Sequence, residues 1–196
     1  MKTLRTKDFR FLVISIILLA LLLAKTTQHV NAENTTDALI KFSKGDLLLE
    51  SVPDFDFGTN DIETSTQAYA LEGELAPIQI HDLRGTHEGW TLKVSLSEFK
   101  DEQEKTSLKG AILGIEAASV SALYGTTAAA PAPSAASFQL TAGGTEVALL
   151  EAAIDSGSGV WQMSFAKDNV SLNVITGTAS SGTNTATLAW SLESTP

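Results

Sequence analysis

A strict alternation of apolar and polar side chains, written into two distant stretches, commits this chain to β structure. The first stretch is Gly89-Trp90-Thr91-Leu92-Lys93-Val94-Ser95-Leu96 and the second is Leu188-Ala189-Trp190-Ser191-Leu192-Glu193. Successive side chains of a strand point to opposite faces, so residues two apart share a face. Trp90, Leu92, Val94 and Leu96 line one face of a first strand, and Leu188, Trp190 and Leu192 one face of a second. A helix would scatter the same positions around its axis. The two-residue period recurs in Asp54–Phe57, in Ile78–Asp82, in Trp161, Met163 and Phe165, and in Val170, Leu172 and Val174. Leu47–Val52, Tyr69–Leu75, Leu108–Glu116, Phe138–Leu140 and Val147–Glu151 read as further short strands, separated by glycine turns. The charged run Ser97–Ser107 has no apolar stripe and is predicted to be a solvated loop. The Ala/Pro piece Ala128–Ala136 is predicted to be an extended surface loop. Many short strands and no amphipathic helix predict an all-β fold, an antiparallel β-sandwich (Ig-like or related) with long surface loops.

The chain opens with a leader. Lys2, Arg5, Lys7 and Arg10 form a basic start, Phe11–Ala24 is apolar, and Val30-Asn31-Ala32 fits a small-residue cleavage site. The apolar run is shorter than the ~20 residues that span a bilayer. Residues 1–32 are therefore expected to be a cleaved signal peptide, leaving no membrane segment and a single domain at 33–196. Five of the 13 Lys and Arg, and one of the 23 Asp and Glu, lie in that leader, so the remainder holds 8 bases against 22 acids, a net charge of −14. Such a surface repels phosphate backbones, which excludes nucleic acid as a partner. It equally disfavours anionic lipid and teichoic acid bound by charge alone. Cysteine is absent, so thiol nucleophiles, thiolate metal sites and disulfides are excluded. Asn34-Thr35-Thr36 and Asn169-Val170-Ser171 match the glycosylation sequon and are read as chance.

Few residues offer chemistry. The histidines are His29, His81 and His87, and the only neighbouring extra ligand is Glu88, which is too little for a metal or acid–base site. Asp54-x-Asp56-x-Gly58 departs from a calcium loop because glycine stands at the third ligand position and no closing Glu follows. None of the common nucleophile, metalloprotease or phosphate-loop motifs is present. No catalytic residue, cofactor or metal is expected, and the protein is read as no enzyme. Two readings of the tryptophans stay open. The alternation is satisfied if Trp90, Leu92, Trp190 and Leu192 are all core. Tryptophan is also large, amphipathic and over-represented where binding energy concentrates. Asp82 and Arg84, two apart, can pair as a structural salt bridge before a turn. They can equally form a polar site beside Trp90.

These residues carry a resemblance. The approach Asp82-x-Arg84-Gly85, the proximal Gly89-Trp90-Thr91-Leu92, the distal Thr187-Leu188-Ala189-Trp190-Ser191-Leu192 and the early segment Val52–Gly58 resemble the WxL-domain surface proteins of low-GC Gram-positive bacteria. The resemblance implies a secreted protein at the cell wall that attaches non-covalently to peptidoglycan. Trp90, Leu92, Trp190, Leu192, Asp82 and Arg84 are then the expected binding residues. It also implies a second kind of partner, a membrane-anchored surface protein encoded nearby, with a contribution to adhesion. No Leu-Pro-x-Thr-Gly occurs in the 196 residues, which agrees with non-covalent attachment.

Overall fold

A computed structural model describes residues 38–195. The leader 1–32 and the sequon at Asn34 lie outside the described residues. The strands in chain order are β1 (Leu47–Ser51), β2 (Gln67–Ala70), β3 (Ile78–Asp82), β4 (Gly89–Leu96), β5 (Phe99–Lys100), β6 (Thr106–Ser107), β7 (Ile112–Glu116) and β8 (Ser119–Ala122). They continue as β9 (Ala132–Pro133), β10 (Ser137–Thr141), β11 (Val147–Ala152), β12 (Gly159–Ser164), β13 (Val170–Val174) and β14 (Leu188–Thr195). Among the described residues the one helical element is a single 3-10 turn at Lys167–Asn169.

All the ladders are antiparallel. They form three four-stranded sheets, ordered β1-β3-β12-β8, β10-β7-β13-β2 and β14-β4-β11-β9, with β5 and β6 as a small hairpin. The fold is all-β and sandwich-like. Its core collects the inward positions of all three sheets, with Ile78 and Ile80, Trp90 and Leu92, and Leu113 and Ile115 fully buried. Each such side chain contributes about 1.5–3 kcal/mol by leaving water.

The strands sit where alternation is sharpest. The Ile78–Asp82 prediction is met residue for residue by β3, and Trp161, Met163 and Phe165 are buried together. The departures have local causes. Leu71 turns into the core and Gly73 takes a φ of 77°, so the strand expected at Tyr69–Leu75 lies earlier, at β2. Leu108 and Gly110 have positive φ, so the strand expected from Leu108 begins only at β7. The charged run Ser97–Ser107 is no loop throughout. Asp101 Oδ1 accepts the N–H of Gln103 at 2.9 Å and of Lys105 at 3.0 Å, which closes the β5–β6 turn over a buried Phe99. The Ala/Pro piece gives two residues to β9, on the edge of the third sheet.

Candidate functional site

The two Trp-x-Leu segments are neighbours. β4 and β14 pair over eight residues without a break, with Leu96 opposite Leu188, Val94 opposite Trp190, Leu92 opposite Leu192 and Trp90 opposite Ser194. Directly opposed residues share a face. Trp90, Leu92, Trp190 and Leu192 are thus one apolar row across two strands, turned toward the core.

Their surroundings differ. β4 has β14 on one side and β11 on the other. Trp90 and Leu92 have no exposed surface. The Trp90 indole N–H donates to the Gly157 carbonyl at 3.3 Å. Two glycines make room for this packing. A Cβ on Gly89 would stand 2.3 Å from the Ala152 carbonyl oxygen and 2.6 Å from Thr195 Oγ1. Gly157, at φ +72°, lies against the indole, and a Cβ there would meet Ala152 Cβ at 2.4 Å and Trp90 Nε1 at 2.7 Å. Sequence reading singled out neither role for these glycines. Gly89 was legible as the residue before Trp90, whereas Gly157 sits in an ordinary Gly/Ser turn.

β14 is an edge strand, hydrogen-bonded to β4 on one side and to no strand on the other among the described residues, with β1 nearby but unpaired to it. Trp190 and Leu192 pack on the core but are only half-buried. The Ser97 N–H donates to the Thr187 carbonyl at 2.9 Å. This bond fixes the phase of the ladder, because hydrogen-bonded and non-hydrogen-bonded pairs alternate. The N–H and C=O groups of Leu188, Trp190, Leu192 and Ser194 therefore point away from β4, toward the open edge.

Asp82 and Arg84 fasten these strands together. The Arg84 guanidinium donates from Nε to Asp82 Oδ1 and from Nη2 to Asp82 Oδ2, both at 2.9 Å, in the bidentate geometry of strong pairs. Nη2 also donates to the Glu88 carbonyl at 2.9 Å, and Nη1 to Ser194 Oγ at 2.6 Å. One side chain thus ties the end of β3 and the turn before Trp90 to the last residues of β14. Both members of the pair are buried, at 6% and 3% side-chain exposure. The hydrogen bonds it donates to Asp82 raise the guanidinium pKa further above its already high ordinary value, against the opposing effect of burial. On the outer face of the sheet, Lys93 Nζ reaches Glu193 Oε2 at 2.5 Å. That hydrogen bond lowers the Glu193 carboxyl pKa and raises that of Lys93.

Where the β4–β14 ladder begins, at Leu96 and Leu188, a cleft of about 750 Å³ opens. One wall is the segment Phe55–Ile62, the other the Gly/Ser/Thr loop Ala179–Thr185. His87 and Asp155, 3.8 Å apart, are both exposed. Among the described residues no group of three His, Cys, Asp or Glu is placed to hold a metal ion.

The two Trp-x-Leu strands thus pair side by side in an antiparallel all-β domain. The chain belongs to the WxL family: the family model described as "WxL domain surface cell wall-binding" matches residues 27–196. No curated protein and no solved structure matches the chain. Attachment at the cell surface follows from this membership.

Proposed function

We propose that this chain is a secreted, non-catalytic protein, exported by its leader 1–32, that holds non-covalently to Gram-positive peptidoglycan. The observation that carries this reading is the distal motif. It leaves a tryptophan and a leucine partly exposed on an edge strand whose outward main-chain donors and acceptors have no partner strand among the described residues. Aromatic and apolar contact with sugar rings, plus hydrogen bonds to those groups, is the chemistry available there. Trp190 and Leu192 make contact in this reading. Trp90 and Leu92 support β14 from behind, and Asp82 with Arg84 holds its end in place. The test is co-sedimentation of residues 33–196 with sacculi stripped of protein. The chain pellets if it binds peptidoglycan directly and stays in the supernatant if it does not.

A second reading rests on the same open edge. Exposed edges are normally blunted by Lys, Pro or bulges, and Leu188–Thr195 has none of these within an unbroken register. A strand from a membrane-anchored surface protein would complete the sheet by main-chain pairing and so recruit this chain to an adhesive assembly. On this reading stripped sacculi fail to bind the chain, and binding appears only when the anchored partner is added.

A further inference from the structure

We infer that the cleft at the Leu96–Leu188 end of the two motif strands is a binding site for an uncharged N-acetylated sugar. This inference rests on the peptidoglycan reading and names the part of that polymer recognised, the glycan strand rather than the peptide. Three observations converge. First, the size of about 750 Å³ lies within the ~300–1,000 Å³ of ordinary ligand sites. Second, the lining joins aromatic surface from Phe55, Phe57 and Tyr69 to oxygen acceptors from Asp56 and Asp61. Apolar ring faces suit the C–H surface of a pyranose and the methyl of an acetamido group, and oxygen acceptors suit its hydroxyls and amide N–H. Third, no Lys or Arg lines the cleft among the described residues. The charged groups that line it are the acids Asp56 and Asp61, which disfavours peptide carboxyl ends and teichoic phosphate.

The walls are held by their own hydrogen bonds. The Tyr69 hydroxyl donates to the Asp61 carbonyl at 3.2 Å, and the Gly58 N–H donates to Asp56 Oδ1 at 2.8 Å. Across the cleft, Asn184 Nδ2 donates to the carbonyls of Ser180 at 2.9 Å and Gly182 at 3.0 Å. Its Oδ1 is buried and receives no donor from the described residues. The cleft also adjoins the ladder, because Leu188 and Leu96 form its inner end. One glycan strand lying along β14 would meet the distal motif and the cleft in succession.

The experiment is titration of residues 33–196, which contain the compact unit Phe42–Pro196, with a tetramer of β-1,4-linked N-acetylglucosamine. Chemical shifts are followed by NMR. The fully de-N-acetylated, cationic tetramer is run beside it at low and high salt. The inference predicts that the acetylated tetramer shifts the resonances of Phe57, Tyr69 and Asn184, with little dependence on salt. It predicts that the cationic tetramer binds at least tenfold more weakly at high salt, about 1.4 kcal/mol. Ser181→Trp, an exposed position on the rim, should fill the cleft and weaken the acetylated tetramer about tenfold while leaving the far β14 resonances unmoved. Tighter, salt-sensitive binding of the cationic tetramer overturns the inference, because the acids alone would then be at work. Absence of shifts in the cleft also overturns it. Sacculus binding separates this failure from that of the wider reading: if wild type and Ser181→Trp pellet alike and no tetramer binds, the cleft is wrong and wall attachment stands. If wild type does not pellet, wall attachment itself is wrong.

Discussion

Two copies of one motif lie side by side in this molecule and meet different surroundings. Trp90 and Trp190 each sit in Trp-x-Leu, on the same face of the same sheet, with Leu92 and Leu192 directly opposed. Trp90 is fully enclosed because β4 has a strand on both sides, and Gly157 closes over its indole. Trp190 is only partly buried, on a strand paired on one side only. Alternation fixes which face a side chain takes. The number of neighbouring strands decides how much of that face remains to meet anything else. The proximal motif is therefore enclosed, and the distal motif keeps part of its face open to solvent.

This contrast is most directly broken by truncation. Trp90→Ala should lower unfolding free energy by about 3–5 kcal/mol, the range for a fully buried large aromatic. Trp190→Ala should lose less than that, since part of its surface already meets water. Urea denaturation of both variants checks the order, and equal losses would erase the distinction between the two strands. Next in size is the clip. Arg84→Ala leaves the Asp82 carboxylate buried without its partner and should destabilise by about 3–5 kcal/mol at most. Ser194→Ala removes only one of the hydrogen bonds of Arg84 and should cost about 1 kcal/mol. Both should speed amide hydrogen exchange in β14 more than in β4, because the clip holds the C-terminal strand.

Gly157→Ala sharpens the comparison from the other side. It forces a side chain into a left-handed backbone conformation and against the Trp90 indole, at about 2 kcal/mol. Its effect should appear in the near-ultraviolet circular dichroism of Trp90 and leave the surroundings of Trp190 unchanged. The smallest effect belongs to Glu193→Gln. The Lys93–Glu193 pair is exposed and should shift the unfolding midpoint barely at all. Its pH signature is nevertheless defined. The folded Glu193 carboxyl is held below its ordinary range, so its contribution is complete above that ordinary value and fades as pH falls through the lowered one. Lys93 is held above its ordinary range, so its contribution is complete below that value and is lost as pH rises through the raised one.

Much of this architecture was legible in the residues. Alternation located β3, β4, β12, β13 and β14 and assigned their inward faces, because burial on one side imposes a period of two. The pairing of Asp82 with Arg84 followed from their spacing, but the early segment Val52–Gly58, which the resemblance makes a strand, contributes only an isolated bridge from Asp56 to Glu72. Weak pattern hid the rest. Ser119-Val120-Ser121-Ala122 carries one apolar side chain of any size and still forms β8, because β12 offers it a ladder. Phe99 is a single anchor in a charged run, too little to announce a hairpin. Which of the two motif strands would be the edge depends on long-range sheet order, and local sequence carries no trace of it. The cleft has the same origin, since its walls lie more than a hundred residues apart in the chain.

The claim that the distal motif faces the wall while the proximal one supports it is tested most directly by sacculus binding of paired variants. Residues 33–196 would be compared as wild type, Trp190→Ala and Trp90→Phe, each verified as folded by circular dichroism at the temperature used. Wild type and Trp90→Phe should pellet alike, and Trp190→Ala should bind about tenfold more weakly, as expected for an exposed aromatic anchor. A folded Trp190→Ala that pellets as well as wild type, or a folded Trp90→Phe that alone fails to pellet, would contradict the division of labour between the two strands.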